Sequence, residues 1–185
     1  MNRTLNALRY CEGCPTDLYV TRHGESYRNV GLKDTKTGLF FDTIEQFNEW
    51  GFHADHNVPL TENGEQQARE AGDRFLSGLV DKKLRVPKEF VHSGYKRAYE
   101  TARIMRKQTR LSELPDIELR ENFSLRERDN GISHVLLSHE AEEYMKWNER
   151  YWKSVGPIQA RPFGGESILE LREGRVRNLI RDEFR

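Results

Sequence analysis

The sequence has few cysteines, and the two that it has lie close together near its start. Cys11 and Cys14 are the only cysteines among 185 residues, which excludes a fold held together by several disulfide bonds. A structural zinc site needs about four ligands, and no second cysteine pair is present. A redox Cys-x-x-Cys pair would open a helix, whereas Pro15 and a predicted strand follow this one. The sequence therefore predicts no metal or redox centre here, and residues 1–16 are predicted to form an N-terminal tail.

The sequence also lacks an excess of either charge and a long apolar run. Thirty basic residues balance thirty acidic ones, so the composition does not indicate binding to nucleic acid or to an anionic membrane. No run approaches the roughly 20 apolar residues that span a bilayer, and the first ten residues lack the apolar core of a signal peptide. We therefore predict a cytoplasmic protein with no nucleic-acid and no membrane partner. The sequence does not indicate an oligomeric state.

The order of strand-like and helix-like segments predicts one α/β domain over residues 17–185. Predicted strands at 17–22, 89–92 and 117–119 alternate with helices. One helix begins after Thr61, others cover 97–107 and 138–153, and Ser167 caps the last. This alternation favours a mostly parallel sheet covered by helices.

The segment 30–58 is predicted to be long and irregular. Four of its residues have a helical spacing that indicates packing rather than ligand binding: Phe41, Ile44, Phe47 and Trp50. His53, Asp55 and His56 lie together in the same segment, but the rest of a metal-ligand set is absent. We interpret these three residues as structural or solvated.

The stretch that most suggests chemistry runs from Leu18 to Asn29. Its apolar start predicts a strand, and Arg22, His23 and Gly24 follow where that strand ends. In an open α/β sheet, ligands bind at the carboxyl ends of the strands. Arg22 supplies fixed positive charge for an anion, and His23 can serve as a nucleophile, a base or a metal ligand.

Later stretches add further candidate residues. Arg97 lies in the first turn of a predicted helix, which is unfavourable for a cation unless that helix end receives an anion. Glu127 is followed by Asp129 and Gly131, and it is the preferred candidate for a general acid. Glu121 repeats the Leu-Arg-Glu triplet and is the competing candidate.

Together these stretches resemble, in order, the motifs of the histidine phosphatase superfamily, the phosphoglycerate mutase-like proteins. Residues 18–29 match its Arg-His-Gly-Glu signature, and 59–68, 125–131 and 162–167 match later motifs. Residues 93–102 match too, except that Gly94 and Tyr95 stand where the family has Pro and Leu. The resemblance implies a three-layer α/β/α sandwich with a mostly parallel central sheet.

The resemblance also implies roles for five residues. His23 would be the nucleophile that forms a phosphohistidine, Glu127 the acid that protonates the leaving group, and Arg22, Asn29 and Arg97 the ligands of the phosphate. The expected function is hydrolysis of a phosphomonoester, on a small molecule or a phosphoprotein, without a cofactor or metal. The alternatives are phosphoglycerate mutase-type phosphoryl transfer and a non-catalytic phospho-ligand binding or scaffold protein of the same fold.

One part of the family pattern is missing from this sequence. The family has a strand after the last helix that ends in a second catalytic His-Gly, whereas this sequence ends at Arg185. No histidine follows His139, and only His23 precedes a glycine. We therefore expect the C-terminal part of the domain to be missing, as in a fragment of a longer protein. A natural inactive relative is the alternative.

Overall fold

The computed structural model describes residues 17–33, 45, 55–110, 115–129, 131–132 and 138–183. The predicted tail with Cys11 and Cys14, the apolar residues at 41–50 and His53 lie outside these ranges, apart from the backbone at position 45.

The described helices and strands alternate along the chain. Helix α1 is Tyr27–Lys33, α2 is Glu62–Val80, β1 is Glu89–His92, α3 is Lys96–Arg110, β2 is Glu118–Glu121 and α4 is Ser138–Val155. The last helix consists of α5, Ile168–Glu170, a π-helical segment, Leu171–Val176, and α6, Arg177–Glu183. Single 3-10 turns lie at Asp55–Asn57 and Phe123–Leu125. Within these ranges, no helix has both the length and the apolar composition to cross a membrane.

The described sheet consists of β1 and β2, which pair in parallel with Glu89 opposite Glu118. Their connection contains α3, as parallel strands require a crossover. Across the pair, Arg120 Nε donates to Glu89 at 2.6 Å. The predicted strand at 89–92 is confirmed, and the one predicted at 117–119 begins one residue later and ends at Glu121. The predicted α/β class with a parallel sheet is confirmed.

The predicted strand at 17–22 is wrong for the part of the chain that the structure describes. Residues 17–22 pair with neither β1 nor β2, and Val20 is 85% exposed. Tyr19 anchors the segment instead, since its ring lies 5.4 Å from that of Phe75 and its hydroxyl accepts from the Arg85 amide at 3.0 Å. An apolar, β-branched run favours extended backbone, but a strand also needs a neighbouring strand, which local composition does not supply.

Helices α2 and α3 pack against each other and enclose an apolar cluster of Leu60, Ala68 and Ile104. The predicted start of α2 is confirmed, because the Gly64 amide donates to Thr61 Oγ1 at 3.0 Å, which satisfies one of the donors left free at a helix start. The predicted helix at 97–107 is also confirmed and is longer at both ends.

The C-terminal half is helical, as the sequence predicts. Helix α4 extends two residues beyond the predicted 138–153. Ser167 begins the last helix with a capping box: Ser167 Oγ accepts from the Glu170 amide, and the Glu170 carboxylate accepts from the Ser167 amide. The π-helical segment that follows has a wider turn than an α-helix, and it contains Arg175.

Replacing Gly64 by alanine is expected to destabilise the fold by about 2 kcal/mol or more, the cost of overpacking a tight contact. A Cβ at this position would lie 1.9 Å from the Glu25 carbonyl oxygen, so main chain would have to move. Gly174→Ala is the matched control, since a Cβ there meets nothing within 4 Å, and it should leave stability unchanged or raise it slightly. Thermal and urea unfolding of both variants measure the difference. Equal midpoints for the two variants would contradict this close approach.

Candidate functional site

The loop that carries His23 is held between the start of α2 and the side of α3. The Gly24 amide donates to Thr101 Oγ1 on α3 at 3.1 Å. The Thr61 amide, just before α2, donates to the Glu25 carbonyl at 2.9 Å. The backbone on both sides of the imidazole is therefore fixed to two helices that pack on each other.

Two contacts of the His23 ring define its tautomer. Nδ1 lies 2.6 Å from the Gly24 carbonyl oxygen, which can only accept, so Nδ1 carries the proton. Arg97 Nε donates to His23 Nε2 at 3.2 Å, which requires a lone pair on Nε2. Burial lowers the pKa of His23, the Gly24 carbonyl raises it, and the charges of Arg97 and Arg22 lower it further, with a net decrease below 6.5. The ring is thus a neutral imidazole whose Nε2 lone pair faces a guanidinium.

Arg97 connects His23 to two carboxylates. Its side chain is 5% exposed. Nη1 donates to the Asp55 carbonyl at 2.7 Å and to Asp55 Oδ1 at 3.3 Å, and Nη2 donates to Asp55 Oδ2 at 3.2 Å. Nη2 also lies 3.4 Å from Glu127 Oε2. The structure therefore brings three of the sequence-predicted site residues together: His23, Arg97 and Glu127.

A second buried arginine, Arg28, faces the same carboxylate. Its Nε lies 3.6 Å from Asp55 Oδ1. Burial lowers the pKa of Arg28, with Asp55 raising it and Arg97 lowering it. The Asp55 carboxylate thus lies between two guanidiniums. The sequence motifs identify neither residue: they assign no role to Arg28, and the prediction for Asp55 is a structural or solvated residue.

A network of ion pairs holds the loop of Glu127. Glu166 pairs with Arg126 Nη2 at 2.8 Å and with Arg175 Nη2 at 2.6 Å, and it accepts from the Asp129 amide at 3.1 Å. Burial raises the pKa of Glu166, but the Asp129 amide and the two arginines lower it by more, so the carboxylate stays charged. Arg175 also donates to the carbonyls of Arg126 and Glu127. The backbone is therefore fixed at Glu127, while its side chain is 62% exposed.

The competing carboxylate, Glu121, lies elsewhere. It ends β2, and its charge raises the pKa of His92, although burial gives His92 a net decrease. Its carboxyl carbon would be 3.1 Å from a Cβ placed on Gly94. The contact between Glu127 and Arg97 makes Glu127 the better candidate for a role beside His23.

The other two predicted phosphate ligands, Asn29 and Arg22, are placed differently. Asn29 Oδ1 accepts from the amide and the hydroxyl of Ser26 at 3.0 and 2.9 Å, so its Nδ2 group is the part that can donate to an anion. Arg22 is exposed, and it is near enough to lower the pKa of His23. Both assignments remain predictions.

The two departures from the family motif lie beside Arg97. Gly94 has a φ of +81°, which glycine adopts readily and proline cannot, because its ring fixes φ near −65°. The Tyr95 ring lies 4.7 Å from Arg97 Cζ, a cation–π contact. Burial and the charge of Asp55 raise the pKa of Tyr95, which stays neutral near pH 7. Within the described ranges, no group of three His, Cys, Asp or Glu side chains could hold a metal ion.

His23 is expected to titrate below pH 6.5, because burial and two neighbouring arginines disfavour its protonated form. The unfolded chain binds this proton near pH 6.5 and the folded chain only at lower pH, so His23 reduces stability as the pH falls below 6.5. Two-dimensional NMR of the ring nitrogens measures the midpoint. Arg97→Gln removes one positive charge and should raise it. A midpoint above 6.5 in the unmodified chain would contradict this interpretation of the site.

Comparison with known proteins identifies the family. A family model described as histidine phosphatase superfamily (branch 1) matches residues 18–183. The chain is 35% identical over 160 residues to a 2,3-bisphosphoglycerate-dependent phosphoglycerate mutase of Parvibaculum lavamentivorans, with 83% of this chain and 60% of that protein covered. It is 29% identical over 178 residues to the phosphoglycerate mutase-like protein AT74H of Arabidopsis thaliana, with 92% and 54% covered. The chain thus spans little more than half the length of these relatives.

Solved structures share the fold. A mycobacterial glucosyl-3-phosphoglycerate phosphatase in complex with VO3 has a TM-score of 0.54 at 24% identity, with 88% of this chain and 63% of that chain covered. YhfR of Bacillus stearothermophilus has a TM-score of 0.53 at 23% identity, with 88% and 67% covered. With the family model covering almost the whole chain and the motif residues His23, Arg97 and Glu127 meeting at one site, the chain belongs to the histidine phosphatase superfamily.

Proposed function

We propose that the protein is a phosphatase that hydrolyses a phosphomonoester through a phosphohistidine on His23. The observation that supports this best is the tautomer of His23, whose Nδ1 proton is held by Gly24 O while the Nε2 lone pair faces Arg97. A neutral imidazole with a directed lone pair is a competent nucleophile for phosphorus. The buried guanidinium beside it offers positive charge where the transferring group gains negative charge.

In the first step, His23 Nε2 forms a bond to phosphorus while the bond to the ester oxygen breaks. Glu127, in its protonated form, gives its proton to the leaving alkoxide. In the second step, water attacks phosphorus and gives a proton to Glu127, the P–N bond breaks, and inorganic phosphate leaves. Arg97, Arg22 and Asn29 hold the non-bridging oxygens. Neither of these two steps uses a cofactor or a metal.

A mutase is the second candidate, and the 35% identity to a phosphoglycerate mutase favours it. The two reactions share the first step and differ in whether water or a substrate hydroxyl accepts the phosphoryl group. In either case we propose a small-molecule phosphomonoester as substrate, since the phosphatase and mutase relatives carry such names. A phosphoprotein substrate, a non-catalytic binding role and the cytoplasmic location stay predictions of the sequence.

Trapping the intermediate tests this function. The full-length protein is mixed with a radiolabelled phosphomonoester, quenched in alkali and analysed by mass spectrometry for a label that acid removes and alkali does not. We expect the label on His23, and we expect His23→Ala to abolish it. His56→Ala is the matched control, because His56 is exposed and lies in the 3-10 turn beside Asp55. Label that persists in His23→Ala would rule out His23 as the nucleophile.

A further inference from the structure

Asp55 accepts three hydrogen bonds from Arg97, yet it belongs to none of the motifs that define the site. Its backbone carbonyl and both carboxylate oxygens accept from Arg97 at 2.7, 3.3 and 3.2 Å. The two residues are 42 positions apart in the sequence. Asp55 lies in a 3-10 turn five residues before Leu60, a member of the apolar cluster between α2 and α3.

The five N–H bonds of Arg97 divide into two sets. Nε faces the nucleophile His23, and one N–H of Nη2 faces Glu127. The remaining three N–H bonds, on Nη1 and Nη2, go to Asp55. The edge of the guanidinium formed by Nε and Nη2 therefore faces His23 and Glu127. The end formed by Nη1 and Nη2 makes a bidentate pair with the Asp55 carboxylate, the geometry that fixes a guanidinium best.

The charges around Asp55 also favour a role for it in holding Arg97. Arg28 and Arg97 are both buried; burial lowers the pKa of Arg28, and the charge of Arg97 lowers it further. The Asp55 carboxylate lies between them, 3.6 Å from Arg28 Nε and 3.2 Å from Arg97 Nη2. Removing it would leave two buried cations facing each other, and the Arg97 side chain could then move away from His23.

We propose that Asp55 is the positioning residue of the site: it holds Arg97 with its Nε–Nη2 edge toward His23 and Glu127 and balances the charge of Arg28. This inference rests on the proposed function for the role of Arg97 as a phosphate ligand. An incoming phosphoryl group then replaces the weak contact of Arg97 with Glu127 at 3.4 Å, and Asp55 keeps its place. Asp55 touches no reacting atom, and it acts through Arg97.

The test is the titration of His23 in Asp55→Asn, followed by NMR of the ring nitrogens. The charges that shift the pKa of His23 are those of Arg97, Arg22 and Glu127. If Arg97 moves away in Asp55→Asn, the midpoint of His23 should rise by about half a pH unit, toward the value in Arg97→Gln. The direct effect of deleting a negative charge has the opposite sign, since it would lower the midpoint. A lowered or unchanged midpoint in Asp55→Asn overturns the proposal.

Two further variants test whether the change in the His23 midpoint is specific to Asp55. Asp116→Asn is the matched control, because Asp116 also bridges two arginines, Arg106 and Arg110, at the far end of α3; it should leave the His23 midpoint unchanged. Asp55→Glu keeps the charge, and its His23 midpoint should lie between the midpoints of Asp55→Asn and of the unmodified chain. A shift in Asp116→Asn equal to that in Asp55→Asn would show a general loss of structure and would overturn the proposal.

Kinetics separate positioning from simple binding. Asp55→Asn should lower kcat by about tenfold or more with KM changed by less than threefold, because a small misplacement of a catalytic group costs rate rather than affinity. Asp55→Asn combined with Arg97→Lys should be no slower than Arg97→Lys alone. Additive losses would overturn the proposal. The His23 titration needs no turnover, so its outcome stands apart from the phosphohistidine experiment, whose failure would instead reject the proposed function.

Discussion

Arg97→Lys is expected to lower kcat/KM for a phosphomonoester by about 10²–10³, the usual cost of losing one preorganised donor to a developing anion. The substitution keeps the charge, so the loss measures geometry. Arg97 reaches His23, Asp55 and Glu127 at once with a planar fork of five N–H donors. A lysine ammonium is a compact point charge with three donors, and it cannot span these three groups.

The matched control is Arg106→Lys. Arg106 lies on the same helix and pairs with Asp116 rather than with the site. Its replacement should change kcat/KM by less than twofold, since its partner Asp116 is exposed and such an ion pair contributes little. Steady-state kinetics of the two variants, with thermal unfolding to check the fold, make the comparison. If Arg97→Lys retains more than a third of the original kcat/KM, Arg97 does not bind the transferring group.

The parts of this fold that the sequence predicts well are those that local chemistry decides. Thr61 and Ser167 are short polar residues in front of amphipathic segments, and each accepts a backbone N–H three residues later. The residues that decide such a cap lie within one turn of each other. This is why the sequence predicts the starts of α2 and of the last helix.

The parts that the sequence does not predict depend on partners far along the chain. The strand-like composition of residues 17–22 does not reveal that Tyr19 packs on Phe75 instead of pairing with β1. In the same way, Asp55 and Arg175 look like ordinary charged residues in the sequence. The fold brings them into contact with Arg97 and Glu127, which lie 42 and 48 positions away along the chain. Family motifs pointed to the residues that are proposed to touch the substrate, and they missed the residues that contact those in the fold.

In the candidate site, too, some residues could be predicted from the sequence and others could not. Motif resemblance pointed to His23, Arg97 and Glu127, and the structure brings these three together. Arginine is usually exposed in folded proteins, so the residue type alone does not indicate that Arg28 is buried. Burial of a charged residue is the product of packing around it, and the signal that could have found Arg28 is its position inside the first motif, one residue before Asn29.

Glu127→Gln is expected to slow hydrolysis of an alkyl phosphate by about 10²–10⁴, the usual contribution of a general acid. An alkoxide is a poor leaving group and needs a proton as the P–O bond breaks. A nitrophenolate leaves without one, so hydrolysis of nitrophenyl phosphate should change by less than threefold. The structure places this carboxyl group near the nucleophile: Glu127 Oε2 lies 3.4 Å from Arg97 Nη2, and Arg175 Nη2 donates to the Glu127 carbonyl at 3.2 Å. The carboxylate is thus held beside the guanidinium that faces His23.

Glu121→Gln is the matched control for this prediction, since Glu121 has the same Leu-Arg-Glu context and ends β2. It should slow both substrates equally or not at all. The measurement is the ratio of kcat for the two substrates in each variant, which cancels any loss of active protein. A selective loss on the alkyl substrate in Glu121→Gln would transfer the role of acid to Glu121. Equal losses on both substrates in Glu127→Gln would show that Glu127 serves only to hold Arg97, since a residue that donates no proton cannot distinguish a leaving group that needs one from a leaving group that does not.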